Sequence, residues 1–196
     1  MELFKVEQQD TQQIHGLIYI PEYISKSQEQ ELIKNIDEQQ WLNDLKRRVQ
    51  HYGYKYDYKA RTITSDLKIG EIPNWLAEYT NKFNSNGYFS KIPDQVIINE
   101  YQPGQGISPH IDCIPCFDNT VASLSLLSPC IMEFINPSTN QKIPVLLERR
   151  SAVILKDDAR YKWQHSIPAR KTDKLDGFPQ ARGRRLSLTF RNMITI

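Results

Sequence analysis

From residue 94 onward, apolar and β-branched residues arrive in short runs: QVIINEY (95–101), VASLSLL (121–127), CIMEFI (130–135), IPVLLE (143–148), SAVILK (151–156) and RRLSLTFRNM (184–193). Asn, Pro, Gly and Asp separate them, so each run reads as a strand. Strands at this spacing suggest a barrel or jelly roll. The first half differs. GLIYIPEYI (16–24) reads as a strand-like entry. Leu32, Ile33 and Ile36 fall at helical spacing within 28–39, with Ser27 and Gln30 resembling a capping box. A second helix is expected from Pro73 to Asn86, with Leu76, Tyr79 and Phe83 on one face and Gly87 as its stop. The predicted class is α+β, with helices first and a β-rich core after them. The expected division is an N-terminal extension over residues 1–93 and the β-rich core over 94–196, together one compact domain.

The 196 residues suit a single domain, and 20 aromatics (3 Trp, 10 Tyr, 7 Phe) exclude a disordered chain. No apolar run approaches a membrane span, and MELFKVEQQD lacks the pattern of a signal peptide. The expectation is a cytoplasmic protein (nuclear too, in a eukaryote), with no membrane partner and a monomeric state. Net charge is only +2 but uneven: −5 over residues 1–40, +4 over 42–61 and +6 over 156–191. That polarity fits a polyanionic partner, and equally a solvated surface with a few arginines used internally. Cys113 and Cys116, with Cys130 the third cysteine, read as ordinary thiols in a loop rather than a metal or redox pair.

The residues that carry chemistry sit at strand ends. His110 and Asp112 are two apart, so in a strand they face one way and meet one ion. His165, in the strand-like YKWQHSIP, is the candidate third ligand. Two His and one carboxylate make the facial triad of non-haem Fe(II) oxygenases. In RLSLTFR (185–191), Arg185, Ser187, Thr189 and Arg191 share a face. Two arginines on an otherwise apolar strand call for anionic partners, which a small dicarboxylate supplies. Asn99 and Tyr101 share a face of QVIINEY and offer neutral donors.

NEYQPGQGISPHID, then His165, then RLSLTFR resembles the AlkB family of Fe(II)/2-oxoglutarate dioxygenases, over roughly residues 95–193. The resemblance implies a double-stranded β-helix (jelly-roll) core with an N-terminal lid for nucleotide recognition. It implies His110, Asp112 and His165 on Fe(II), and Asn99, Tyr101, Arg185 and Arg191 around 2-oxoglutarate. Arg185 with Tyr101 would hold the distal carboxylate, and Arg191 with Asn99 would lie near the metal-proximal one. Ser187 stands where the DNA-repair type has Asn, with a shorter reach. The implied reaction consumes O2, turns 2-oxoglutarate into succinate and CO2, and oxidises a substrate C–H bond. An N-methyl carbon would leave as formaldehyde; another carbon would stay as an alcohol.

The stretch RRSAVILKDDARYKWQHSI (149–167) resembles the eukaryotic AlkB homologue fused to a tRNA methyltransferase, for which this chain leaves no room. The leading expectation is oxidation of modified bases in DNA or RNA. The alternatives are the same chemistry on a protein or other substrate, or a non-catalytic nucleic-acid-binding jelly roll. For the substrate, Tyr52, Tyr54, Tyr56 and Tyr58 alternate as on one strand face, with Arg47, Arg48 and His51 just before them. Rings beside guanidinium groups suit a stacked base and its phosphates, and equally a strand covering the core. Trp41, Trp75 and Trp163 read as core, His15 as a surface residue, Arg149 and Arg150 as solvated at a turn, and Arg160 as a possible support of the site.

Overall fold

The computed structural model describes residues 13–43, 45–57, 65–175 and 177–194. Six strands build the larger sheet. They are β1 (Leu17–Ile20), β2 (Arg48–Tyr52), β3 (Gln95–Tyr101), β5 (Phe117–Leu127), β8 (Ala152–Leu155) and β12 (Arg185–Met193), in the order β1-β8-β5-β12-β3-β2. The smaller sheet runs β4-β9-β6-β7, from β4 (Ile107–His110), β6 (Cys130–Ile135), β7 (Lys142–Leu147) and β9 (Gln164–Ile167). A separate hairpin pairs β10 (Thr172–Leu175) with β11 (Phe178–Ala181). All these pairings are antiparallel. The α+β jelly roll expected from the runs after residue 94 is the fold observed. The larger sheet also takes β1 and β2 from before residue 94.

Strand alternation divides β12 into two faces. Leu186, Leu188 and Phe190 point to one side and pack with α1 (Lys26–Asp37) and α2 (Asn74–Ser85), through Leu32, Ile36, Leu76, Tyr79 and Phe83. Truncating a fully buried leucine such as Leu188 to alanine would cost about 2–5 kcal/mol. The other face of the sheet meets the smaller sheet. There Val121, Val153 and Leu155 pack with Met132, Phe134 and Val145. The polar residues Asn99, Ser187 and Arg191 lie on this inner face, so the fold places them between the sheets.

Several expectations shift. The capping box exists two residues earlier than read: Ser25 Oγ accepts from the Gln28 backbone and Gln28 Oε1 from the Ser25 backbone. The entry strand is only Leu17–Ile20, because the chain turns at Pro21 and Glu22, the latter at φ 49°. The second helix starts one residue after Pro73, and Gly87 closes it at φ 76°. Trp163 is buried, while Trp41 and Trp75 pack half-buried against the helical core, and His15 is exposed. No described helix is long and apolar enough to cross a membrane.

Most of the described arginines pair with carboxylates of the chain itself, four of them with side chains still 30–48% exposed. Arg149 is exposed at the turn, as expected, while Arg150 is largely covered; both nevertheless reach Glu29, a fully buried carboxylate of α1. Arg48 and Arg184 hold buried Glu100 in the same way, and Arg170 and Arg182 hold buried Asp173. Cys113 and Cys116 are not free thiols either. They form a disulfide, because the turn after Asp112 brings their Cα atoms to 5.2 Å.

Candidate metal and co-substrate centre

β4 and β9 are neighbours in the smaller sheet, and their register sets His110 opposite His165. The two rings lie 4.4 Å apart, centroid to centroid. Asp112 follows β4 at once, and its Oδ2 stands 3.8 Å from His165 Nε2. Candidate ligand atoms from the three residues lie within 4.8 Å of one another.

The donor chemistry fits a divalent metal. His110 Nδ1 is 2.8 Å from the Ser108 carbonyl; donating to it leaves Nε2 as the metal donor. Asp112 Oδ1 accepts from Arg191 at 2.8 Å, while buried Oδ2 has no hydrogen-bond partner. Burial alone would raise the Asp112 carboxyl, but Arg191, the two histidines and Arg160 outweigh it and hold the group well below the usual carboxylate range. Burial, then His110, Arg191 and Arg160, lowers His165 to about 3 against the pull of Asp112. His165 is therefore neutral at pH 7, as a metal ligand must be.

Beside the triad, β12 and β3 pair so that Arg185 faces Tyr101 and Ser187 faces Asn99. Arg191 also donates to Gln95 Oε1 at 3.2 Å. Arg185 is 2% exposed and donates to Ser125 Oγ at 2.8 Å, while its Nε and one terminal nitrogen have no protein acceptor. Its guanidinium lies 5.5 Å from the Tyr101 ring centroid. Ser187 Oγ bonds Ser123 Oγ at 2.8 Å. A cavity of about 1010 Å³ opens over the triad, lined among others by Asn99, Tyr101, Ser187 and Arg191. Arg185 is not in its lining; it stands behind Tyr101 and borders a separate small crevice with Cys130.

The 2OG-Fe(II) oxygenase superfamily model matches residues 16–191. The alkylated DNA repair protein ALKBH8 homolog of Arabidopsis thaliana is 35% identical over 92% of this chain and 59% of its own length. The tRNA (carboxymethyluridine(34)-5-O)-methyltransferase ALKBH8 of Macaca fascicularis is 37% identical over 81% of this chain, but over only 25% of its own. The chain belongs to the AlkB family of 2OG-Fe(II) oxygenases. The solved structure of OsALKBH1 shares its fold, with a TM-score of 0.67 over 90% of this chain and 98% of that one at 15% identity. The chain thus spans little more than half of one of these relatives and a quarter of the other.

This AlkB-family chain is an Fe(II)/2-oxoglutarate-dependent dioxygenase, and its His-Asp-His group fits the iron. Arg160, read from sequence as a possible support, is a buried clamp on the iron-ligand loop. Its guanidinium donates to the carbonyls of Asp112 (3.0 Å), Cys113 (3.3 Å), Phe117 (3.1 Å) and Asp118 (3.4 Å).

The expected substrate residues of the oxygenase do not act together. The strand β2 ends at Tyr52, because Gly53 turns at φ 76° with the Asp94 carbonyl where a Cβ would stand. The alternation therefore breaks. Tyr52 packs edge-on against Trp75 in the core, and Tyr54 joins Cys116, Phe117 and Met193. Tyr56 alone of the described tyrosines in this run lines the cavity, against Phe117; Tyr58 lies outside the described residues. Arg48 points away to Glu100 and Trp41. His51 is buried, and its Nδ1 accepts from the Tyr56 backbone at 3.4 Å. Arg47 turns into the cavity, where its Nε donates to Asn99 Oδ1 at 2.7 Å. Gln95, Ser123 and Ser125 were missed. Their signal was slight: Ser123 and Ser125 two apart in an apolar strand, and Gln95 on the same strand face as Asn99.

Proposed function

We propose that this oxygenase oxidises a modified base of DNA or RNA. The observation that carries the reading is the cavity over the triad: at about 1010 Å³ it sits at the upper end of small-molecule sites, with space beside a five-carbon diacid. Its wall includes Tyr56 from the N-terminal segment, an aromatic face suited to an unstacked base. The DNA-repair and tRNA-modifying names of the two relatives support the same class of substrate.

In this reading His110, Asp112 and His165 hold Fe(II), and Arg185 with Tyr101 takes the distal carboxylate of 2-oxoglutarate. Arg191 with Asn99 flanks the metal-proximal end, where Arg191 also fixes the Asp112 carboxylate. Fe(II) bound there supplies the O2 activation coupled to decarboxylation of the keto acid. The apolar wall of Val153, Leu155 and Met132 keeps water from the reacting face.

The test is incubation of methylated DNA and RNA oligonucleotides with enzyme, Fe(II), ascorbate and 2-oxoglutarate. Nucleoside mass spectrometry should show loss of a methyl base with formaldehyde, or a hydroxylated base. Succinate formed without any change across these panels would sink the reading. A second reading, a protein substrate, is favoured by one observation: most described arginines are paired internally, leaving fewer cations for a phosphate backbone. Weak oligonucleotide binding with a shallow salt dependence would support it.

A further inference from the structure

Among the described residues, seven arginines pair with a carboxylate: Arg48, Arg149, Arg150, Arg170, Arg182, Arg184 and Arg191. Arg160 is satisfied by backbone carbonyls. That leaves Arg47 and Arg185 with neither an anion nor a set of carbonyls. Both lie over the same ring: the guanidinium carbons of Arg47 and Arg185 stand 5.6 Å and 5.5 Å from the Tyr101 centroid. Their protein partners are neutral, Asn99 for Arg47 and Ser125 for Arg185.

We infer that Arg47 is a co-substrate residue, a further guanidinium that grips a carboxylate of 2-oxoglutarate together with Asn99. A half-buried guanidinium facing a cavity gains most from an anion, and its planar fork matches a carboxylate. Only Nε is used by protein; the terminal nitrogens of Arg47 meet no acceptor among the described residues. A five-carbon diacid brings two carboxylates to the neighbourhood of Tyr101, where two guanidinium groups lack an anion, Arg47 on the cavity wall and Arg185 behind the ring. Asn99 and Tyr101, the two residues that Arg47 touches, are those the proposed function sets around the diacid, so the inference rests on that placement.

The geometry also ties the co-substrate to the N-terminal segment. Lys46, next to Arg47, offers its carbonyl to Gln105 Nε2 at 2.7 Å, in the turn between β3 and β4. A diacid held by Arg47 would fasten this segment over the cavity from both sides of the site.

The experiment is calorimetric titration of 2-oxoglutarate into the Mn(II)-loaded, full-length protein without O2, which reads binding and not turnover. Arg47→Ala should weaken the diacid about 10- to 100-fold, the size of a lost charge-assisted bond, and leave Mn(II) affinity unchanged. Arg47→Lys should fall between, since it keeps the charge and loses the fork. Arg48→Gln, one residue on and facing away, should bind like wild type. Wild-type affinity in both Arg47 variants overturns the inference, as does tighter binding in Arg47→Ala, which would make Arg47 an occluding plug. Arg185→Gln separates the two readings. If it too binds like wild type, the placement of the diacid beside Tyr101 has failed, and the inference with it. If it loses the diacid while the Arg47 variants keep it, the inference alone falls.

Discussion

Arg191 donates to one oxygen of Asp112 at 2.8 Å and leaves the other without a hydrogen bond. One guanidinium thus stabilises the anion and fixes which oxygen remains for the metal. Replacing it removes both effects. Arg191→Gln should weaken Mn(II) binding about 10- to 100-fold, the usual size of an effect behind a metal ligand. A titration followed by the paramagnetic signal of free Mn(II) checks this, and an unchanged affinity would mean that Asp112 needs no such partner.

Arg160 is not itself in the cavity lining, but it holds the backbone of the lining residues Asp112, Cys113 and Phe117 from behind. Arg160→Met removes a donor from four carbonyls, those of Asp112 and Phe117 in buried bonds, and should cost about 2–4 kcal/mol in urea unfolding. Arg160→Lys reaches fewer of the four and should recover part of that. If Arg160→Met unfolds at the wild-type midpoint, the clamp contributes nothing measurable.

Acid should unfold the protein through its buried carboxylates. Glu29 and Glu100 pay for burial, but their paired arginines hold both below the ordinary 4.5. Asp173 lies below 3.8 against the same opposition, through Arg182 and Arg170. With folded values depressed, the unfolded chain binds more protons as pH falls. The stability is therefore present above about 4.5 and is lost progressively below it. Urea midpoints should be flat from pH 7 to 5 and drop toward pH 3. Glu29→Gln should lower the midpoint at pH 7 and flatten the decline; a midpoint that holds to pH 3 contradicts the argument.

Tyr56 separates substrate from co-substrate. It lines the cavity against Phe117. Tyr56→Ala should raise KM for an oligonucleotide about 5- to 100-fold, as loss of one stacking contact does. Succinate formation in the absence of oligonucleotide should be unchanged. Equal loss of both rates would make Tyr56 a structural residue.

The β core was legible because its strands are β-branched, short and punctuated, and because each inward polar residue recurs every second position. The triad was legible as a His-x-Asp pair and one further histidine in a strand, although β4 ends at His110 and it is the chain just past the strand, not a shared strand face, that carries Asp112. The mouth of the cavity was not legible. Alternation of the tyrosines promised one surface, but a single glycine, Gly53, ends the strand and sends Tyr52 and Tyr56 to different places. Nor could local charge show where the arginines go. Arg149 finds Glu29 120 positions away, and Arg184 finds Glu100 84 positions away. Sequence neighbours say nothing about partners at that distance.

The pairing of Arg185 with Tyr101 and Ser187 with Asn99 is one continuous ladder that runs on to Arg191 and Gln95. Because side chains alternate with a period of two, a one-residue insertion within β12 would rotate everything beyond it to the helical side. The proposed keto-acid grip and the brace on Asp112 therefore share a single mechanical frame. Damage to that frame would abolish the two together, whereas point changes can dismantle them one at a time.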